Sequence, residues 1–297
     1  SGSATITANK FSAKTVTASV VNTVDGFVKI TAADSATLTD AITAGNDITV
    51  TATNEVRLEE LDSGAGTITI TGNDVAMTNA TDTEAGGISL TANGGAGGGK
   101  ISLTSALATN DITMTSTQSL DASGAIATTK GNIVLEAGND IDLGSTVTAT
   151  LGSVTLTSTN DAIASDVAGL ITGASVKITD GKFGLAGITT TGGAGVTISG
   201  DTDITASGTV KTDVVTVTST NDVVLTALTE ADANQGVILA GATATGKITV
   251  SAVSTTSSTA TLVTGSGADN ITVGDLDTKY VITTGKGVDT VKVGVGD

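Results

Sequence analysis

Histidine, cysteine, proline and tryptophan are missing from this chain, and it holds only three Phe, one Tyr and a single arginine, Arg57. Without His and Cys, the common general bases, nucleophilic dyads and zinc sites have no residues to build on. Without Cys there is also no disulfide framework. Aromatic side chains supply much of the buried area of a thick core, so their scarcity excludes one. A narrow core filled by Val, Ile, Leu, Ala and Thr remains. Thirteen basic residues against thirty acidic ones give a formal net charge of −17, which argues against nucleic acid as a partner, because backbone phosphates demand clusters of Lys and Arg. No apolar run is long enough to span a bilayer, so membrane insertion is not expected. The opening Ser1-Gly2-Ser3 has neither an initiator Met nor the basic and apolar regions of a signal peptide, and reads as the start of a processed product or fragment.

What the chain has in quantity is Gly, Ala, Ser and Thr interleaved with β-branched residues, a composition poor in helix signals and rich in strand signals. One unit recurs: apolar, polar, apolar, then often Thr. It appears as Val28-Lys29-Ile30-Thr31, Ile48-Thr49-Val50-Thr51, Ile68-Thr69-Ile70-Thr71 and Ile88-Ser89-Leu90-Thr91, and continues through Ile112, Ile133, Val154, Val176, Val196 and Val215 to Ile248-Thr249-Val250-Ser251. Period-two alternation places the apolar pair on one face and the intervening residue on the other. A unit this short cannot bury its apolar face alone, so successive coils must stack. The expected fold class is all-β, a parallel β-helix or β-solenoid with about 20–22 residues per coil.

Turn chemistry falls in the same register. Asn-Asp precedes an apolar residue at Asn46-Asp47, Asn73-Asp74, Asn110-Asp111, Asn139-Asp140, Asn160-Asp161 and Asn221-Asp222. These residues bond their own backbone and tolerate left-handed angles, so coil corners are their expected place, and stacked ladders of them can also take a cation. Gly94-Gly95-Ala96-Gly97-Gly98-Gly99 ends at Lys100, but Ile101 stands where a phosphate loop needs Ser or Thr, so a flexible loop is expected. Glu59-Glu60 beside Arg57 reads as a solvated loop. Thr-x-Thr pairs such as Thr49-Thr51, Thr113-Thr115, Thr155-Thr157 and Thr216-Thr218 bring ice-binding solenoids to mind, yet only one Thr of each pair need point outward beside the core residues.

Two resemblances follow from these phrases. Gly131-Asn132-Ile133-Val134-Leu135-Glu136-Ala137-Gly138-Asn139-Asp140-Ile141-Asp142-Leu143 resembles the repeats of filamentous haemagglutinin-type exoproteins, a likeness that covers most of residues 27 to 251. That resemblance implies a right-handed parallel β-helix, the hand also preferred for parallel β connections in general. Near the other end, Thr264-Gly265-Ser266-Gly267-Ala268-Asp269-Asn270-Ile271-Thr272 and Thr284-Gly285-Lys286-Gly287-Val288-Asp289-Thr290-Val291-Lys292 are similar to the calcium-binding nonapeptide of repeats-in-toxin (RTX) proteins, with Thr for its first Gly. This likeness implies calcium at Asp269 and Asp289, loops made by Gly265, Gly267, Gly285 and Gly287, and type I secretion with a signal beyond Asp297. The two copies lie twenty residues apart, with Gly274-Asp275-Leu276-Asp277 between them in place of a third.

The organisation expected is an N-terminal coil or cap over residues 1–26, solenoid repeats over 27–260, and an RTX-like β-roll cap over 261–297. The function expected first is structural: a self-assembling building block of a bacterial surface layer or filament, extracellular or on the cell surface, stabilised by calcium, with cell-surface polysaccharide as a second partner. The shaft of an adhesin is the alternative. A carbohydrate-active β-helix enzyme ranks third, since one Arg and one Tyr hardly furnish a sugar groove.

Overall fold

The computed structural model describes residues 26–82, 86–94, 98–160, 164–231, 237–255, 259–274 and 278–294, together with the backbone of the short strands Ala4–Ala8, Phe11–Ala13 and Val16–Thr17. Most of the expected N-terminal coil or cap, together with Asp161, Asp275 and Asp277, lies outside them. Among the described residues there is no helix; the chain is a parallel β-solenoid. It divides into two compact units, residues 1–152 and 153–297.

In the first unit each turn carries three strand segments, and like segments pair in parallel, turn upon turn. The first face runs through strands headed by Ala4, Val28, Ile48, Ile68, Ile88, Ile112 and Ile133, with no register shift. Its inward positions repeat the same three kinds of residue. From Val28 onward a β-branched residue opens the strand, a second large apolar one fills the middle (Ile30, Val50, Ile70, Leu90, Met114, Leu135), and Ala, Gly or Ser closes it at the corner. Stacked copies of one side chain fill a narrow core without aromatics, and these positions are almost wholly buried. The second face stacks Ala36, Val56, Val75, Ile101, Leu120 and Ile141. The third stacks Ile42, Leu61, Ala80, Ala106, Ile126 and Val147.

The second unit follows the same plan with longer strands that run through the corners, Ala164–Thr179 and Lys182–Ser199 among them, and takes up the irregularity as register shifts. Its core stacks Val176 on Val196 and Val215 on the first face, Phe183 on Ile204, Val223 and Ile248 on the second, and Ile171 on Ile188, Val210, Leu228 and Val253 on the third. Past Val253–Ser254 the described strands belong to the first two faces only: Thr259–Val263 pairs with Lys279–Thr283, and Asn270–Val273 with Thr290–Val293. In that last pair Ile271 and Val273 are sealed, whereas Val291 and Val293 are 43% and 65% exposed.

Two sequence expectations are corrected. Arg57, Glu59 and Glu60 lie not in a loop but on the strand Glu55–Ser63, where all three point outward and Arg57 pairs with Glu55 at 2.6 Å. The Gly-rich run is described at Gly94, Gly98 and Gly99, and there the carboxylate of Asp74 accepts N–H groups from Gly99 and Lys100 at 2.8 and 2.9 Å. In the Thr-x-Thr pairs, both residues face outward, because Ile48, Val50 and Ala52 occupy every inward position of a five-residue strand and leave Thr49 and Thr51 on the other side.

Candidate functional site

Corner carboxylates are a recurrent polar device among the described residues. Asp47 accepts the N–H of Thr67 at 2.8 Å, and Asp222 that of Lys247 at 2.9 Å. Each spans one turn and satisfies a donor that the corner would otherwise leave open. Left-handed backbone is not how the Asn-Asp corners work: the one described non-glycine residue with positive φ is Asp180, outside those pairs, which accepts the N–H of Asp201.

The repeats near the C-terminus reverse the direction of this tether. Asp269 accepts from the preceding turn, at Ile248 (2.8 Å), and donates its own N–H to Asp289 at 3.0 Å. The structure therefore places the two expected calcium ligands on adjacent turns and couples them. Asp269 is 1% exposed; its Oδ2 and the neighbouring Asn270 Oδ1 are buried without a hydrogen-bond partner. A buried carboxylate oxygen left in that state is costly unless a cation or donor meets it. The four glycines pack turn on turn. A Cβ on Gly265 would overlap the Ala244 carbonyl, one on Gly285 the Gly265 carbonyl, and one on Gly287 the Gly267 carbonyl. Gly285 and Gly287 also hold φ values of 69° and 134°, where side chains are strained.

A second acidic cluster lies on the outer surface of the second face in the first unit. Asp121 stands in register with Asp142 of the next turn, and Asp140 joins them from the adjoining corner. One carboxylate oxygen from each lies within 4.8 Å of the others. Asp140 is held by the hydroxyl of Ser119 at 2.5 Å. Burial, then the charges of Asp140 and Asp142, push the Asp121 carboxyl above its ordinary value, with Lys100 opposing. Three oxygens at this spacing suit a hard cation or a shared proton. Sequence reasoning missed this cluster. The signal was present in the twenty-one-residue spacing of Leu120-Asp121-Ala122 and Ile141-Asp142-Leu143, which puts both carboxylates at the same outward position of consecutive turns.

Shallow clefts elsewhere are open and polar. One of about 400 Å³ is lined by Thr189, Thr190, Thr191, Lys211 and Asp213, and another of about 320 Å³ by Asp40, Glu59, Glu60 and Asn79. The class defined by fold and surface is thus a parallel β-solenoid with acidic outer clusters and hydrogen-bonded corners. Compared with protein-family models, curated proteins and solved structures, the chain matches none.

Proposed function

We propose that the protein is a structural building block of an extracellular lattice or filament at a bacterial cell surface, joined to copies of itself and stabilised by calcium. The observation that carries this reading is the outward triad of Asp121 and Asp142, in register on consecutive turns, with Asp140 at the adjoining corner, like charges that a divalent cation shared with a neighbouring molecule would neutralise. The orphaned buried oxygens of Asp269 and Asn270 support a second, internal cation site, in keeping with the resemblance to RTX repeats. A non-enzymatic role agrees with a chain that has no His or Cys, and the acidic balance favours self-association through cations over nucleic acid. Cell-surface polysaccharide is the second partner in this reading.

Electron microscopy of the purified chain in millimolar calcium and in excess chelator tests it. Sheets or fibres that vanish with chelator are the expected result. Single particles in both conditions overturn it, and leave the shaft of an adhesin as the function to pursue.

A further inference from the structure

On the first face of the first unit, two files of hydroxyl side chains cross consecutive turns. Thr31, Thr51, Thr71, Thr91 and Thr115 form one, and Thr49, Thr69, Ser89 and Thr113 the other. The pairing that builds them has no register shift, so the array repeats along both directions: about 4.8 Å from turn to turn, and about 6.6 Å between alternate residues of one strand. Every one of these positions is outward, Thr51 exposed and the other eight partly buried, facing away from the Ile and Val core.

Two further observations bear on this array. The buried corner hydroxyls are engaged: Ser63 donates to the Gly66 carbonyl, Ser116 to that of Ser119, and Ser219 to that of Thr202. The nine hydroxyls of the array have no hydrogen-bond partner among the described residues, so their donors and acceptors are left to water. The array is also free of charge on a chain of net charge −17. Lys29 bounds it at one end and Val134 with Glu136 at the other, while the carboxylates of Asp47 and Asp111 at its margin are occupied by the N–H groups of Thr67 and Asn132.

We infer that this face binds ice. Its methyl groups and unpaired hydroxyls recur at intervals close to the oxygen repeats on the prism faces of hexagonal ice. Water held on the array is therefore already placed as a layer of the crystal, and no ionic group orders it differently. The inference is independent of the lattice reading, since an isolated molecule presents the same face.

The test is thermal hysteresis and ice-crystal habit measured on the intact chain, on Thr71→Lys and Thr91→Lys in the array, and on Ser102→Lys on the exposed second face. Faceted crystals and a freezing point below the melting point are expected for the parent and for Ser102→Lys, with most of the hysteresis lost in the two array variants. Thr71→Val keeps the shape and strand preference of Thr, so it serves if a lysine variant loses its far-ultraviolet circular dichroism, and a smaller loss is expected of it. Absence of hysteresis in the parent overturns the inference, as does hysteresis that the array variants retain. Adsorption to insoluble chitin or cellulose that depends on Thr71, without any effect on ice, overturns it in favour of a crystalline polysaccharide.

Discussion

Asp111 takes two hydrogen bonds from a single residue one turn away: the backbone N–H of Asn132 at 2.7 Å and its side-chain Nδ2–H at 3.4 Å. This carboxylate does the work of a backbone carbonyl at a corner where the strand ladder pauses. Asp111→Ala removes the acceptor and leaves the Asn132 N–H to water, at an expected cost of about 1–2 kcal/mol. Asp111→Asn keeps an oxygen in place and costs less. Urea unfolding of the two variants measures the difference.

Asp121 shows the opposite economy. An acid whose folded pKa lies above its unfolded value binds its proton more tightly when folded, so stability falls as pH rises from the ordinary value of 3.8 through the raised one. Without added metal, Asp121→Asn is expected to flatten that decline and to melt at a higher temperature than the parent at neutral pH. Calcium is expected to raise the melting temperature of the parent by more than that of the variant, which keeps only the internal Asp269 site. Calorimetric scans from pH 3 to pH 7 (roughly the span over which carboxyls titrate), with and without calcium, check both.

Gly265 and Gly285 distinguish packing from metal binding. Alanine at either position meets the carbonyl of the turn beneath it, whereas Gly274 has nothing within 4 Å of a new Cβ. Gly265→Ala and Gly285→Ala are expected to lose about 1–3 kcal/mol even in excess chelator, and Gly274→Ala to lose little. Destabilisation that appears only in calcium would assign these glycines to the ion instead.

The core offers a graded comparison. Ile70 is sealed from solvent while Val293 is 65% exposed, so Ile70→Ala is expected to cost about 2–5 kcal/mol and Val293→Ala less than about 1 kcal/mol. Equilibrium denaturation midpoints report it.

The first face was legible in the sequence because its strands bury three residues in alternation, and Ile48-Thr49-Val50-Thr51 needs nothing beyond period two to be read. The third face was not. Its inward column contains Ala80 and Ala106 between Leu61 and Ile126, and one small residue per turn is a weak signal in a chain rich in Ala throughout. The number of strands per coil was hidden with it. The Gly-x-Gly-x-Asp copies were visible by spacing, yet the reversed hydrogen bond from Ile248 to Asp269 was not, since it depends on which neighbour a carboxylate reaches. The doubly outward Thr pairs were misjudged because Ala52 and its equivalents, small enough to pass for polar-side residues, take the last inward place of each strand.

Twenty residues separate Ile68 from its partner Ile88, and twenty-four separate Ile88 from Ile112, yet both pairs sit in the same column with no slip between them. Corner length and strand register are therefore decoupled: the chain can lengthen at a corner, as it does around Gly94–Gly99, without disturbing any layer above or below. Such corners are natural grafting points. A foreign epitope or enzyme-recognition tag spliced between Gly94 and Gly98 would leave the bonds of Gly94 to Asn73 and Thr117 in place, on a scaffold whose turn already carries four extra residues.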